Sequence, residues 1–118
     1  MTVNELIAKV DALRPNAAAP AQKTAWLSEV DGKISREILR QETPASYVWP
    51  EDGDRELLVP APYDRLYEHY IMAMMSYYES EYDALNVSSA LFEEAYGEYA
   101  RLHRREHRPP GRAGFEVM

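Results

Sequence analysis

The sequence predicts a mainly α fold: a small helical bundle built on a long antiparallel helical hairpin, with a short β-hairpin or extended loop between helices 2 and 3. Three observations predict it. Apolar residues recur at steps of three and four along four stretches, the signature of one buried helix face. The periodicity fails once, in the middle, where Pro44, Pro50, Pro60 and Pro62 fall close together. The last two periodic stretches are long and nearly abut, so they should fold back on each other. At 118 residues the chain has room for one domain with one modest core. That domain is expected over 1–108, with 109–118 as an extended tail.

Thr2 and Glu5 have capping-box spacing and open the first helix, about 2–13. Val3, Leu6, Ile7, Val10 and Leu13 form its stripe, and Pro15 follows its end. A helix of about three turns is marginal alone, so it must dock. The second helix is expected over 21–39, with Trp26, Leu27, Val30, Ile34 and Ile38 on one face. Gly32 inside it costs about 1 kcal/mol of helix propensity. It would suit a close approach by another segment. Within 40–62, residues 46–49 and 56–59 read as two short strands joined at Asp52-Gly53.

The third helix is expected over 63–85. Tyr63, Leu66, Tyr67, Tyr70, Ile71, Met74, Tyr77, Tyr78 and Tyr82 fall on one side of it. Asn86 is a plausible cap between this helix and the fourth, expected over 87–108. The fourth stripe is Val87, Leu91, Phe92, Ala95, Tyr96, Tyr99 and Leu102. Nine tyrosines is a high number for this length. Their apolar bodies and polar tips suit half-buried surfaces and subunit contacts. Tyr63, Tyr67 and Tyr70 are therefore candidate partner-binding residues.

The net charge of −7 is uneven. Residues 51–98 carry twelve acidic and two basic side chains, whereas 99–118 carry two acidic and five basic. The acidic body would repel phosphate and is unsuited to bulk nucleic-acid binding. Arg101, Arg104, Arg105, Arg108 and Arg112 exceed what a helix C-terminus needs to complement its dipole. Arginine also suits protein interfaces, through its planar fork. These five, with Phe115 on the tail, complete the candidate partner-binding set.

Several chemistries find no support in the residue pattern. With no cysteines, disulfides and thiolate metal sites are excluded. His103 and His107 share a helix face, but arginines lie between them and no HExxH motif is present. An antiparallel hairpin is expected to bring Glu79, Glu81 and Asp83 to the same end as Glu93, Glu94 and Glu98. The Glu-x-x-His pairs of di-metal bundles are absent there. The sequence has no glycine-rich phosphate loop and no assignable nucleophile with a base, so the chain is expected to be no enzyme and to need no cofactor. No apolar run approaches a membrane span, and the N-terminus does not read as a secretory signal.

The phrases LLVPAPYDRLYEHY and NVSSALFEEAYGEYARLHR, with DALRPNAAAPAQKTAWLSEVDGKISREIL before them, resemble small tailed-phage and prophage proteins of the head–tail connector, or neck adaptor, group. The likeness runs to about Arg108 and is strongest at Pro60-Ala61-Pro62-Tyr63 and at Asn86. It implies a non-enzymatic, helical virion subunit at the head–tail junction, made in the bacterial host cytoplasm. The implied assembly is a homo-oligomeric ring, a dodecamer on the portal protein, joined to other neck or tail proteins. DNA would pass through its lumen without sequence-specific binding, and no membrane is involved. The other function that suits the residues is a small helical interaction or regulatory protein with one partner.

Overall fold

The structure, a computed structural model, describes residues 1–107. It is a mainly helical bundle of four helices: α1 (Val3–Leu13), α2 (Pro20–Glu37), α3 (Arg65–Tyr78) and α4 (Tyr82–Glu106). Helix α1 carries the capping box foreseen for it. The Thr2 hydroxyl accepts from the Glu5 amide, and the Glu5 carboxylate accepts from the Thr2 amide. The first free N–H groups of α1 find partners in the long connection between α2 and α3. Val3 N–H donates to the Arg55 carbonyl and Asn4 N–H to that of Gly53, at 3.0 and 2.9 Å. This connection thus does for α1 what water or a longer cap would otherwise do.

The core lies between α1, α2, α3 and the connection. Val3, Leu6 and Val10 meet Leu27, Val30 and Ile34 of α2 and Leu66, Ile71 and Met75 of α3. Tyr47, Leu57 and Val59 of the connection close it from the side. Buried polar groups on these helices are paired. Lys23 reaches Asp11 at 2.6 Å, and Lys9 pairs with Glu68. At Gly32 an added Cβ would stand 3.3 Å from the Ala45 carbonyl oxygen, so the connection does pass close against α2 there.

The connection does not form the two-stranded hairpin considered for residues 46–59. Among the described residues the only bridge is between Thr2 and Glu56. Residues 49–54 form a tight turn, with Asp52 N–H donating to the Val48 carbonyl. The edges of this segment bond to α1 and to side chains of α2 instead of to each other. An isolated two-stranded pair gains little in water, and these alternative partners satisfy the same groups.

Helices α3 and α4 run antiparallel: Tyr63 packs on Tyr99 and Tyr70 on Phe92, so one number rises as the other falls. Their junction lies at residues 79–81, earlier than the break expected at Asn86, which sits inside α4. Ser80 adopts φ 58°, and the amides of Glu79 and Glu81 close back on the carbonyls of Met75 and Ser76. Arg14, just beyond α1, fixes this junction. Its guanidinium bonds Ser76 Oγ at 3.0 Å, Glu79 at 2.6 Å and Glu81 at 2.7 Å. Helix α4 is the outermost element. Phe92 and Tyr99 are its two buried side chains; among the described helices α3 runs alongside it, and α2 meets it at Tyr96, whose hydroxyl donates to Glu37 at 2.7 Å and whose ring lies against Lys33. No helix among the described residues is long and apolar enough to cross a membrane.

Candidate partner-binding surface

The site begins with a buried carboxylate that positions the elements around it. Asp31 on α2 is fully buried within the same stripe as Leu27, Val30 and Ile34. One of its oxygens accepts from the Tyr67 hydroxyl at 2.6 Å. The other accepts from the Tyr47 hydroxyl and from the Leu58 amide. The Tyr67 hydroxyl in turn accepts from Val59 N–H at 2.8 Å. Burial pushes the Asp31 carboxyl above its usual range, against the pull of three donors. Burial also raises the Tyr47 and Tyr67 phenols, with the Asp31 charge adding to it. Both phenols therefore stay protonated and serve as fixed donors. The arrangement ties α2, the connection and α3 together at one point. Asp31 itself has no surface exposed to solvent.

This corrects one expected contact residue. Tyr67 is 0% exposed and cannot meet a partner while the bundle is folded. The helical period places it on the tyrosine stripe, but its hydroxyl is consumed by Asp31 and its ring by the core. Tyr63 and Tyr70 are half-buried between α3 and α4. The Tyr70 hydroxyl donates to Glu29 at 3.0 Å, and burial first, then that carboxylate, push its pKa up to about 12.

The tyrosines that reach out lie further along the chain. Tyr77, Tyr78 and Tyr82 are 58%, 65% and 63% exposed around the α3–α4 junction. Tyr78 stacks on Trp26 at 5.8 Å and meets Tyr77 edge-on at 5.3 Å. Two hollows flank this aromatic group. One, of about 240 Å³, is lined by Ala17, Ala18, Trp26, Met75 and Tyr78. The other, of about 380 Å³, lies between α3 and α4 against Tyr70, Met74, Tyr77, Leu85 and Phe92. Val87 and Leu91 are also exposed, on another face of α4. Sequence periodicity misses this patch because it assigns Tyr77, Tyr78 and Tyr82 to the inner stripe of one uninterrupted helix. A polar Glu-Ser-Glu segment at 79–81 was the available sign of the break.

Arg101, Arg104 and Arg105 are exposed on the last turns of α4. None has a carboxylate within ion-pair distance among the described residues. Arg108, Arg112 and Phe115 lie outside the described residues. His103 and His107 stack at 3.9 Å, and Nδ1 of His107 sits 2.9 Å from the His103 carbonyl oxygen.

The acidic groups are not gathered at one end as expected. Because α4 starts at Tyr82, Glu98 stands fifteen residues, about 22 Å, beyond Asp83 along the helix. Glu79 and Glu81 are paired with Arg14. No group of three or more potential metal ligands is found among the described residues.

No family model matches this chain, and no curated protein or solved structure matches it either.

Proposed function

We propose that this chain is a structural assembly subunit, and specifically a head–tail connector of a tailed phage or prophage. One observation carries the assembly part. A 25-residue helix forms one edge of the bundle with only two side chains buried, beside an exposed group of three tyrosines. Monomers expose single apolar residues routinely, but clustered aromatic surface marks contact sites. The connector part rests on the likeness of residues 57–70 and 86–104 to that group. In this reading the subunits form a ring on the portal, a dodecamer, and the arginine end of α4 meets an acidic surface. The ring joins other neck or tail proteins at the head–tail junction, and DNA passes its lumen without base-specific contact.

The test is electron microscopy of the protein mixed with the portal protein of the same genome. A new ring of density on the portal is the expected result. Bare portals, with this protein left in solution, would refute the connector reading. The second reading, an interaction protein with a single partner, is favoured by the apolar hollow beside Trp26 and Tyr78. It predicts binding that is lost in Tyr78→Ala and no ring under any condition.

A further inference from the structure

The outward stripe of α4 has an unusual order. Val87, Leu91, Glu94, Glu98, Arg101 and Arg105 follow one another at alternating steps of four and three, and all six are exposed. They lie nearly opposite Phe92, Tyr96 and Tyr99, which face the bundle. The charges come in blocks. Glu94 and Glu98 are four apart, as are Arg101 and Arg105. On a helix, like charges at that spacing repel each other. Alternating signs would have been favourable within one molecule, and none of these four residues makes an ion pair among the described residues.

We infer that this stripe is a self-complementary surface on which a second copy of the chain docks, α4 against α4 in antiparallel orientation. When two such helices are paired so that facing residue numbers sum to 199, Glu98 meets Arg101 and Glu94 meets Arg105. The two-fold axis repeats both, giving four opposite-charge pairs over about 16 Å of helix. A parallel pairing in register would set Glu on Glu and Arg on Arg. The outer position of α4, which packs along α3 and touches α2 through Tyr96 on its inner side, leaves room for the second copy. The neighbouring charges are mixed. Glu93 and Arg104 share one flank; on the other lie Glu106 and, from α3, Arg65 and His69, which line one hollow with Leu91, Glu94 and Glu98. The residues that would face Leu91 and Val87 in this register fall outside those described. Exposed ion pairs are weak and screened by salt, so the dimer is weak and sensitive to ionic strength. The inference does not depend on the connector reading and concerns the free protein.

Sedimentation velocity of the full chain tests it, together with two charge-block variants. Wild type should dimerise at low salt, and its Kd should rise at least about tenfold between about 25 and 300 mM NaCl. Glu94→Arg/Glu98→Arg makes the stripe wholly basic, and Arg101→Glu/Arg105→Glu makes it wholly acidic. Each variant should be monomeric with wild-type helicity by circular dichroism. Their equimolar mixture should form the heterodimer. Wild type that stays monomeric at several hundred micromolar and low salt would overturn the inference. So would a dimer that survives both substitutions, or folded variants that fail to associate when mixed.

Discussion

Tyr67→Phe removes one oxygen atom and leaves the ring. In the native protein that hydroxyl donates to Asp31 at 2.6 Å and accepts from the Val59 amide at 2.8 Å. Its loss strands a buried N–H, at about 1–3 kcal/mol, and removes a hydrogen bond to a charged group, at about 1.5–3 kcal/mol. Partial relaxation recovers some of this, so the expected destabilisation is on the order of 3 kcal/mol. For a domain of this size that lowers Tm by roughly 10–20 °C. Urea unfolding followed by far-ultraviolet circular dichroism measures it. Tyr70→Phe is the control, since its bond to Glu29 is at the exposed rim, and it should cost about 1 kcal/mol at most. Trp49, two residues from Tyr47, supplies a local signal, because the connection should loosen before the helices in the variant. If Tyr67→Phe lies within about 0.5 kcal/mol of wild type, the account of Asp31 as the tie between α2, α3 and the connection is wrong.

Three further outcomes follow from the same structure. The Tyr47, Tyr67 and Tyr70 phenols are raised above their ordinary value of 10, Tyr70 to about 12. Their contribution to stability is therefore complete below pH 10 and is lost as pH climbs through the folded values. The urea midpoint should fall between pH 10 and 12, and an unchanged midpoint would contradict the burial described. Gly32→Ala should fail to deliver the roughly 1 kcal/mol that helix propensity offers, because the Ala45 amide donates to Ser35 Oγ, which anchors that residue against α2 and keeps its carbonyl from retreating freely. A full gain in thermal unfolding would show that the segment yields. Arg14→Ala should cost about 1 kcal/mol and loosen the α3–α4 junction, seen as faster amide exchange at Glu79 and Glu81. Unaltered exchange there would mean the junction holds itself.

The helices declared themselves in the sequence to different degrees. The start of α1 was legible because Thr2 and Glu5 act locally, within one turn. The five apolar residues of the α2 stripe all pack inward, as their spacing implied. The break between α3 and α4 was not legible at its true place. It carries no glycine or proline, and a non-glycine residue, Ser80, takes the left-handed conformation. That choice is stabilised by Arg14 from 62 to 67 residues away, and no local pattern reports such a partner. Asp31 was hidden for a related reason. A carboxylate among apolar neighbours looks like an edge residue until its three donors, from residues 47, 58 and 67, are brought together by the fold. Tyr82 was mislaid by the same error that misplaced the junction. Once the helix is cut at Tyr78, the period no longer carries Tyr82 inward.

The bonds from Leu58 and Val59 to Asp31 and Tyr67 also bear on how the protein opens. Neither amide lies in a helix or a ladder, so secondary structure alone would class both as quick to exchange with solvent. Their acceptors are side chains that come free only when α2 and α3 separate. In hydrogen–deuterium exchange these two amides should rank with the slowest in the bundle and respond to urea as global unfolding does. Much of α4, seated on α3 and tied to α2 only at Tyr96 among the described contacts, should exchange first. The order of exposure would then run against the order of helical length, with the longest helix the least protected and two loop amides among the last to yield.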